Sequence, residues 1–298
     1  MADVSAIVVT HNAAPWIERS LESLRGTGAE VIVVDNGSTD GTPDLVRGKF
    51  PDVRVVEQEN RGFGAGNNAG MRAAAGRYFL LLNPDAWLTE GALDGMVAFA
   101  DEHPEAAVVG PRLRNPDGSL QRSVRGYPTP WRLATEYFFL RKLAPRTQTL
   151  NALFGAGFDH ESVREADYLF GACLLVRRDA VDSVGGFDED FFLMSEEVDW
   201  LYRFRQAGWK VLFYPDAEVF HVVGASLNPA RFQDVVRGHL QFLRKHRGKR
   251  VAERARRVML WGLRGRGLVF RGERGRAYRD TARWLGSGRV DTLLESSE

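Results

Sequence analysis

The chain has 298 residues, 44% of them hydrophobic, and a formal net charge of +1. This length and apolar content are typical of an ordinary globular protein with one large domain or two modest ones. No apolar run reaches the roughly 18 residues of a membrane-spanning helix, and the N-terminus lacks a signal-peptide pattern, so we expect a cytoplasmic protein. The lone Cys173 excludes a disulfide framework or a cysteine zinc site within one chain.

Charge is distributed unevenly along the chain. Residues 1–228 carry 22 basic and 32 acidic side chains, whereas residues 229–298 carry 18 and 7, so the net charges are −10 and +11. We therefore predict a main domain over 1–228 and a basic helical region over 229–298. Arginines in this region alternate with apolar residues such as Trp261 and Phe270, a pattern that suits an anionic membrane surface, nucleic acid or a solvated helix face.

The first part of the chain alternates between strand and helix patterns. Strands are predicted at 4–10, 31–34, 53–56 and 78–82, with a helix from Pro15 and another over 45–50. This alternation predicts right-handed βαβ units and an α/β fold with a mainly parallel sheet. Asp35 follows the second strand directly, in a polar loop.

A loop rich in glycine and asparagine follows the third strand, at residues 60–70, and leads into a predicted helix over 71–75. Its spacing and position do not match the dinucleotide-binding fingerprint, which follows a first strand. Two interpretations stay open. Either the glycines let the backbone approach a ligand while Asn67 and Asn68 offer amides near the helix start, or the asparagines simply cap the helix.

The fourth strand is fully apolar and ends at Asn83-Pro84-Asp85. Asp85 therefore lies just past the carboxyl end of a buried strand, where open α/β sheets expose groups to ligands. Either the carboxylate faces a cation or polar ligand, or it bonds to its own turn backbone.

The middle of the chain is predicted to contain a helix at 90–100, a strand at 107–110 and an irregular segment over 112–165. Long irregular segments in compact domains are often functional. This one is interpreted either as a substrate lid or as a small additional core. The aromatic residues in question are Trp131, Tyr137, Phe138 and Phe139.

A second acidic motif begins a helix late in the chain. Ser195 can cap this helix, and Glu196, Glu197 and Asp199 lie in its first turn. Capping accounts for one or two acids, while crowding raises a carboxyl pKa, as a general base requires. Asp199 and Arg203 are spaced as a structural i, i+4 pair.

Three strands complete the predicted domain, one at 168–176 with an interruption at Gly171 and two at 210–214 and 217–221. His221 stands at the end of the last strand, either as a structural group or as a ligand. The carboxyl ends of parallel strands share one edge, so Asp35, the 60–70 loop and Asp85 should line one crevice. That crevice suits a nucleotide diphosphate held with magnesium or manganese.

Taken together, these motifs resemble the family 2 glycosyltransferases, which have the GT-A fold. The resemblance covers residues 4–226 and is carried by Val8 to Asn12, Val33 to Thr42, Asn60 to Gly70, Leu82 to Asp85, Gly185 to Glu189 and Glu196 to Asp199. The Asn60 loop and Asn-Pro-Asp resemble the bacterial rhamnosyltransferase-like branch in particular. The resemblance implies a nucleotide-binding half over 1–111 and an acceptor half over 112–228.

It also implies roles for individual residues. Glu197 corresponds to the catalytic base, with glutamate in place of the usual aspartate, and Glu196 or Asp199 could replace it. Asp85 ends a degenerate Asp-x-Asp motif in which Asn83 replaces the first aspartate, and His221 is a second metal ligand. The implied donor-binding residues are Thr10, Asn12, Asp35, Gly62, Asn67, Asn83 and Asp85, and the implied acceptor-binding residues are Glu196, Asp199 and Trp200.

The implied reaction is an inverting, metal-dependent transfer of a sugar to a glycan or lipid-linked acceptor in surface polysaccharide synthesis. The favoured sugar is rhamnose, with dTDP-rhamnose as its donor. The basic region would then hold the enzyme at the inner face of the membrane, or serve in a homodimer, and not bind nucleic acid. Two other functions remain as alternatives, a nucleotidyltransferase and a nucleic-acid-binding scaffold. A nucleotidyltransferase usually has a Gly- and Lys-rich loop after the first strand, where this chain has His11 to Pro15.

Overall fold

A computed structural model describes residues 3–144, 147–151, 153, 158–222 and 231–295. The chain divides into two compact units. The first comprises the described residues of 1–124, 159–192 and 196–222, and the second comprises those of 125–158, 193–195 and 223–298. The predicted boundary at residue 228 lies outside the described residues. The described residues of 125–158 belong with the C-terminal helices, which the sequence patterns did not predict.

The elements follow one another in this order. In the first half of the chain they are β1 (Val4–Thr10), α1 (Ile17–Leu24), β2 (Glu30–Asp35), α2 (Thr42–Lys49), β3 (Arg54–Glu57), α3 (Phe63–Ala73), β4 (Tyr78–Leu82), β5 (Ala86–Leu88), α4 (Ala92–Glu102), β6 (Ala106–Arg114), β7 (Leu120–Gln121) and β8 (Val124–Arg125). After these come α5 (Pro130–Tyr137), a 3₁₀ turn (Leu140–Lys142), α6 (Gln148–Asn151), β9 (Arg164–Glu165), β10 (Tyr168–Leu169), β11 (Cys173–Arg177), α7 (Arg178–Val184), α8 (Glu196–Gln206), β12 (Lys210–His221), α9 (Phe232–Arg247), α10 (Lys249–Val269), α11 (Gly272–Leu285) and α12 (Arg289–Glu295).

The main sheet of the first unit has the strand order β3-β2-β1-β4-β11-β6-β12-β5. Six of these strands run in one direction, while β11 runs against β4 and β6, and β5 runs against β12. The sheet is therefore mainly parallel, as predicted, with one antiparallel strand near its centre. This strand begins where β4 ends, so its first residues also lie at the carboxyl edge.

Apolar burial explains why these segments form the sheet. Every residue of β1 and β4 is buried, as expected for strands covered on both faces. Helix α1 contributes Ile17, Leu21 and Leu24 to the same core, at the predicted i, i+4, i+7 spacing.

Helix α3 corrects the prediction for the glycine-rich loop. It begins at Phe63, so Asn67 lies inside the helix and not at its start. A Cβ on Gly66 would lie 2.6 Å from Val9 Cγ1, and one on Gly70 would overlap Ile7. These two glycines therefore let the helix pack closely on β1. They contribute to the core and do not bring the backbone close to a ligand.

Two strand predictions also differ from the structure. The segments 210–214 and 217–221 form one strand, β12, whose register against β6 shifts between Tyr214 and Glu218. That shift lies at Pro215-Asp216, residues that break a strand pattern in sequence although a β-bulge accommodates them here. The segment 168–176 forms two strands, β10 and β11, which are separated at Gly171.

The second unit is helical and has its own buried centre. The Arg266 side chain of α10 is 4% exposed and donates hydrogen bonds to the carbonyl oxygens of Glu136 and Tyr137 in α5. Its guanidinium also lies 4.2 Å from the Phe139 ring centroid. Tyr137 is thus a core residue of this unit, whereas Trp131 and Phe138 are exposed. None of the described helices is both long and apolar enough to cross a lipid bilayer.

Candidate active site

The nucleoside side of the predicted crevice is a pair of loops joined by hydrogen bonds. Asp35, at the end of β2, is 1% exposed. Its carboxylate accepts hydrogen bonds from Thr10 Oγ1 at 2.8 Å and from the Ser38 backbone N–H at 2.8 Å. Asp35 therefore ties the end of β1 to the loop after β2, and its predicted contact with a nucleoside stays a prediction.

Asn12 extends this connection at the surface. It has a left-handed backbone with φ of 54°. Its Oδ1 accepts a hydrogen bond from the Thr39 N–H at 2.8 Å, and its own N–H donates to Ser38 Oγ at 2.8 Å. These hydrogen bonds hold the loops after β1 and β2 together at the carboxyl edge of the sheet.

The asparagines of α3 hold neighbouring backbone. Asn67 donates to the Phe63 carbonyl oxygen within its own helix. The Asn68 amide pairs with both backbone groups of Phe187, at 2.8 and 2.9 Å. Gly62 has φ of 99°, and its carbonyl oxygen accepts a hydrogen bond from Asn36 Nδ2 at 3.0 Å. These contacts order the loops around the crevice, and the predicted donor roles of Gly62 and Asn67 stay predictions.

The Asn83-Pro84-Asp85 turn is fixed at the centre of the edge. The Asn83 N–H donates to the Ala172 carbonyl oxygen at 2.9 Å, and the Ala86 N–H closes the turn on the Asn83 carbonyl oxygen at 3.1 Å. Asp85 is 7% exposed. The backbone thus closes the turn, and the Asp85 carboxylate lies beside His221.

His221 and Asp85 form a close pair in the first unit. The Nε2 atom of His221 lies 3.4 Å from Asp85 Oδ1, and its Nδ1 atom lies 2.8 Å from Gln121 Oε1. Gln121 Nε2 lies 3.0 Å from Asn115 Oδ1 and 3.2 Å from the His221 carbonyl oxygen, which are both acceptors. These partners fix the orientation of the Gln121 amide, so His221 Nδ1 donates to Gln121 Oε1 and the Nε2 atom faces the Asp85 carboxylate.

This pair is suited to a divalent cation. The Nε2 atom of His221 faces the Asp85 carboxylate and meets no hydrogen-bond partner among the described residues. An imidazole nitrogen beside a carboxylate oxygen is a donor set that divalent cations accept. Asn83 Oδ1 is likewise buried without a partner in the described part of the chain. No cluster of three or more His, Cys, Asp or Glu ligands occurs in the described ranges. Such a site would need substrate phosphate oxygens or water to complete its coordination, as magnesium sites commonly do.

The acidic start of α8 lies at the same edge. A Cβ built on Gly171 would lie 3.6 Å from Glu197 Cβ, and the next residue, Ala172, bonds to Asn83. Glu197 is partly exposed, whereas Glu196 is 5% exposed. Burial, together with the charge of Glu197, raises the pKa of Glu196 well above its ordinary value.

Asp199 and Trp200 are both fully buried, with 0% exposure. Asp199 Oδ2 lies 2.8 Å from Arg203 Nε, which confirms the structural pair expected from their spacing. The guanidinium of Arg203 donates to the Gly186 carbonyl oxygen, and the Trp200 indole donates to that of Gly185. These residues anchor α8 to the preceding loop, and the predicted acceptor contacts of Asp199 and Trp200 stay predictions.

Two features of the site were missed by sequence reasoning. Gln121, which orients His221, lies within the segment that was predicted to be irregular. Gly171, which leaves room for Glu197, was noted only as an interruption of a strand. An isolated Gly inside a strand pattern often marks close approach of another group, and this signal could have located the contact.

Comparison with known proteins identifies the family of this chain. The family model described as Glycosyl transferase family 2 matches residues 5–185. N-acetylglucosaminyl-diphospho-decaprenol L-rhamnosyltransferase of Mycobacterium tuberculosis (strain ATCC 25618 / H37Rv) is 36% identical over 237 residues, which cover 74% of this chain and 76% of that protein. The resemblance to rhamnosyltransferase-like members of the family is therefore confirmed.

Solved structures confirm the GT-A fold. Mannosyltransferase PcManGT from Pyrobaculum calidifontis, in complex with GDP-Man and Mn2+, superposes with a TM-score of 0.59 at 18% identity, covering 99% of this chain and 88% of that one. S. aureus TarS in complex with UDP-GlcNAc gives a TM-score of 0.53 at 18% identity, covering 98% and 84% of the two chains.

The raised pKa of Glu196 predicts a pH-dependent stability. A carboxyl group with a raised pKa in the folded state stabilises the fold at pH values below its ordinary pKa, and this contribution is lost as pH rises through the folded value. Glutamine cannot ionise, so we expect Glu196→Gln to melt at a higher temperature than the wild type at pH 8 and at a similar temperature near pH 4. Thermal melts across this range check the prediction.

The matched control is Glu102→Gln, because Glu102 is an exposed acid at the end of α4. Its melting temperature should follow the wild type at every pH. Parallel profiles for the wild type and Glu196→Gln would contradict the assigned burial of a neutral Glu196.

Proposed function

The chain belongs to glycosyl transferase family 2, and from this premise we propose that it transfers L-rhamnose from dTDP-rhamnose to a polyprenyl-diphosphate-linked N-acetylglucosamine. The observation that carries the substrate proposal is the 36% identity to the mycobacterial rhamnosyltransferase over 74% of this chain. The arrangement of Asp85, His221 and Glu197 at one sheet edge supports the chemistry.

The donor occupies the carboxyl edge in this proposal. Thr10, Asn12 and Asp35 shape the nucleoside end, and Asp85 with His221 holds the diphosphate end through magnesium or manganese. A bound divalent cation supplies charge neutralisation for the nucleotide diphosphate as it departs. Support for this role comes from His221 Nε2, which lies 3.4 Å from Asp85 Oδ1 and has no hydrogen-bond partner among the described residues, and the Mn2+ in the Pyrobaculum mannosyltransferase is consistent with it.

Glu197 is the proposed general base. Burial and the charge of Glu197 raise the pKa of Glu196, so Glu196 favours its protonated form, and the partly exposed Glu197 is the better placed of the two to accept a proton. As the acceptor hydroxyl oxygen bonds to the anomeric carbon, its proton moves to Glu197. The bond from the anomeric carbon to phosphate oxygen breaks with its electron pair on the diphosphate. This single displacement inverts the anomeric configuration.

The lipid-linked acceptor requires access to a membrane surface, and α10 offers a suitable face. We name as the basic face of α10 the exposed residues that recur at intervals of three and four, which are Arg250, Arg254, Arg257, Trp261, Arg264 and Leu268. Trp261 is 60% and Leu268 is 88% exposed. Cationic side chains beside exposed apolar ones match the chemistry of an anionic lipid surface, so we propose peripheral membrane binding through this face.

Transfer assays test the proposed reaction. With dTDP-rhamnose, a short polyprenyl-diphosphate N-acetylglucosamine and Mn2+, we expect the wild type to form a disaccharide product. Glu197→Gln should lower kcat by about 10²–10⁴-fold, because general-base catalysis contributes that much. Its Kd for dTDP, measured by calorimetry, should equal that of the wild type.

Glu102→Gln provides the control again and should keep wild-type turnover, because it changes the same functional group at the opposite edge of the sheet. Normal transfer by a folded Glu197→Gln variant would remove Glu197 from the proposed role. Transfer from UDP-sugars in place of dTDP-rhamnose would contradict the proposed donor.

Membrane binding is tested by cosedimentation with vesicles. We expect the full chain to bind phosphatidylglycerol vesicles at low salt and to ignore phosphatidylcholine vesicles. Arg254→Glu with Arg257→Glu should weaken this binding at least tenfold, because each basic side chain near an anionic surface contributes about 1 kcal/mol. Added salt should weaken it as well.

Arg72→Glu is the matched charge reversal outside the C-terminal region, on an exposed position of α3. It should bind vesicles like the wild type. Equal binding by the α10 variant and the wild type would contradict the role of the basic face.

A further inference from the structure

The three residues that precede α8 belong to the second unit. Residues 193–195 group with the C-terminal helices, although 159–192 and 196–222 on either side belong to the sheet-containing unit. Glu196 and Glu197 follow this turn directly along the chain. The conformation of the turn therefore sets where α8 begins.

The turn is held in an unfavourable backbone conformation. Met194 has φ of 71° and Ser195 has φ of 75°, so two consecutive residues with side chains occupy the left-handed region. Such a conformation is unfavourable for residues with a side chain and persists only where surrounding contacts impose it. Ser195 is 5% exposed, which shows that it is enclosed by such contacts.

Gly238 of α9 supplies these contacts. A Cβ at this position would overlap the Met194 carbonyl oxygen and would lie 2.6 Å from Ser195 Oγ and 2.9 Å from Ser195 Cβ. Real Cβ contacts are never this short, so the turn occupies the space that a side chain on α9 would need. Helix α9 is itself fixed within its unit by the buried Val236, Leu240 and Leu243.

From these observations we infer that Gly238 is a positioning residue for the proposed reaction. Helix α9 holds Met194 and Ser195 in their left-handed conformation, and the turn in this conformation sets the start of α8 and hence the place of the Glu197 carboxylate. The C-terminal helices are then required for turnover itself, in addition to any role at the membrane. This inference rests on the proposed role of Glu197.

Replacing Gly238 by alanine separates this contact from helix stability. In an unconstrained helix interior, replacing glycine by alanine stabilises the helix. Gly265 of α10 offers the matched control, since a Cβ there meets nothing within 4 Å. Any loss that Gly238→Ala shows and Gly265→Ala does not is therefore a consequence of displacing the turn.

The experiment measures kcat, KM for the acceptor and the Kd of dTDP with Mn2+ for wild type and variants. We expect Gly238→Ala to lower kcat at least tenfold with the Kd of dTDP unchanged, because small displacements of a catalytic group greatly slow the chemical step. Gly265→Ala should match the wild type. Ser195→Gly removes the side chain that rests against Gly238, and glycine accepts a positive φ, so this variant should keep its melting temperature while its kcat falls.

Wild-type kcat in folded Gly238→Ala would overturn the inference, and so would equal losses in Gly238→Ala and Gly265→Ala. If Gly238→Ala does not fold, Ser195→Gly decides, and wild-type kcat in that variant overturns the inference as well. A wild-type protein without transfer would instead contradict the proposed function, so the two failures are distinguishable.

Discussion

One backbone hydrogen bond organises the candidate site, from the Asn83 N–H to the Ala172 carbonyl oxygen. It joins the end of β4 to the start of the antiparallel strand β11 at the carboxyl edge. The turn that follows β4 carries Asp85, which lies beside His221, while Gly171 before Ala172 leaves room for Glu197. A candidate metal-binding pair and a candidate base are thus brought together by strand geometry, although Asp85 lies more than one hundred residues before Glu197 and His221 in sequence.

Around this centre, most polar side chains serve to order loops. Asp35 joins the loops after β1 and β2, Asn68 holds the backbone of Phe187, and Arg203 binds the carbonyl oxygen of Gly186. Buried polar groups with satisfied hydrogen bonds rigidify their surroundings. Three buried atoms of the site are exceptions, because they have no hydrogen-bond partner among the described residues. They are His221 Nε2, Asn83 Oδ1 and Glu196 Oε2.

The sequence predicted the fold class, the first strands and the positions of Asp35 and Asp85 at strand ends, because apolar strands followed by acidic turns leave a local signal. It failed where a contact between distant segments decides the outcome. The glycines of α3 face Val9 and Ile7 in the core, and Trp200 is buried beneath the loop that it anchors. The grouping of 125–158 with the C-terminal helices depends on Arg266, whose partners in α5 no local pattern indicates.

The central claim is that Asp85 and His221 hold a divalent cation that meets the donor diphosphate. A crystal structure of the protein with dTDP and Mn2+, with data collected at an energy where manganese scatters anomalously, tests it directly. We predict one anomalous peak, which marks a manganese ion within coordination distance of Asp85 Oδ1, His221 Nε2 and oxygens of the diphosphate. Bound dTDP with no peak at this pair, or with manganese coordinated elsewhere, would contradict it.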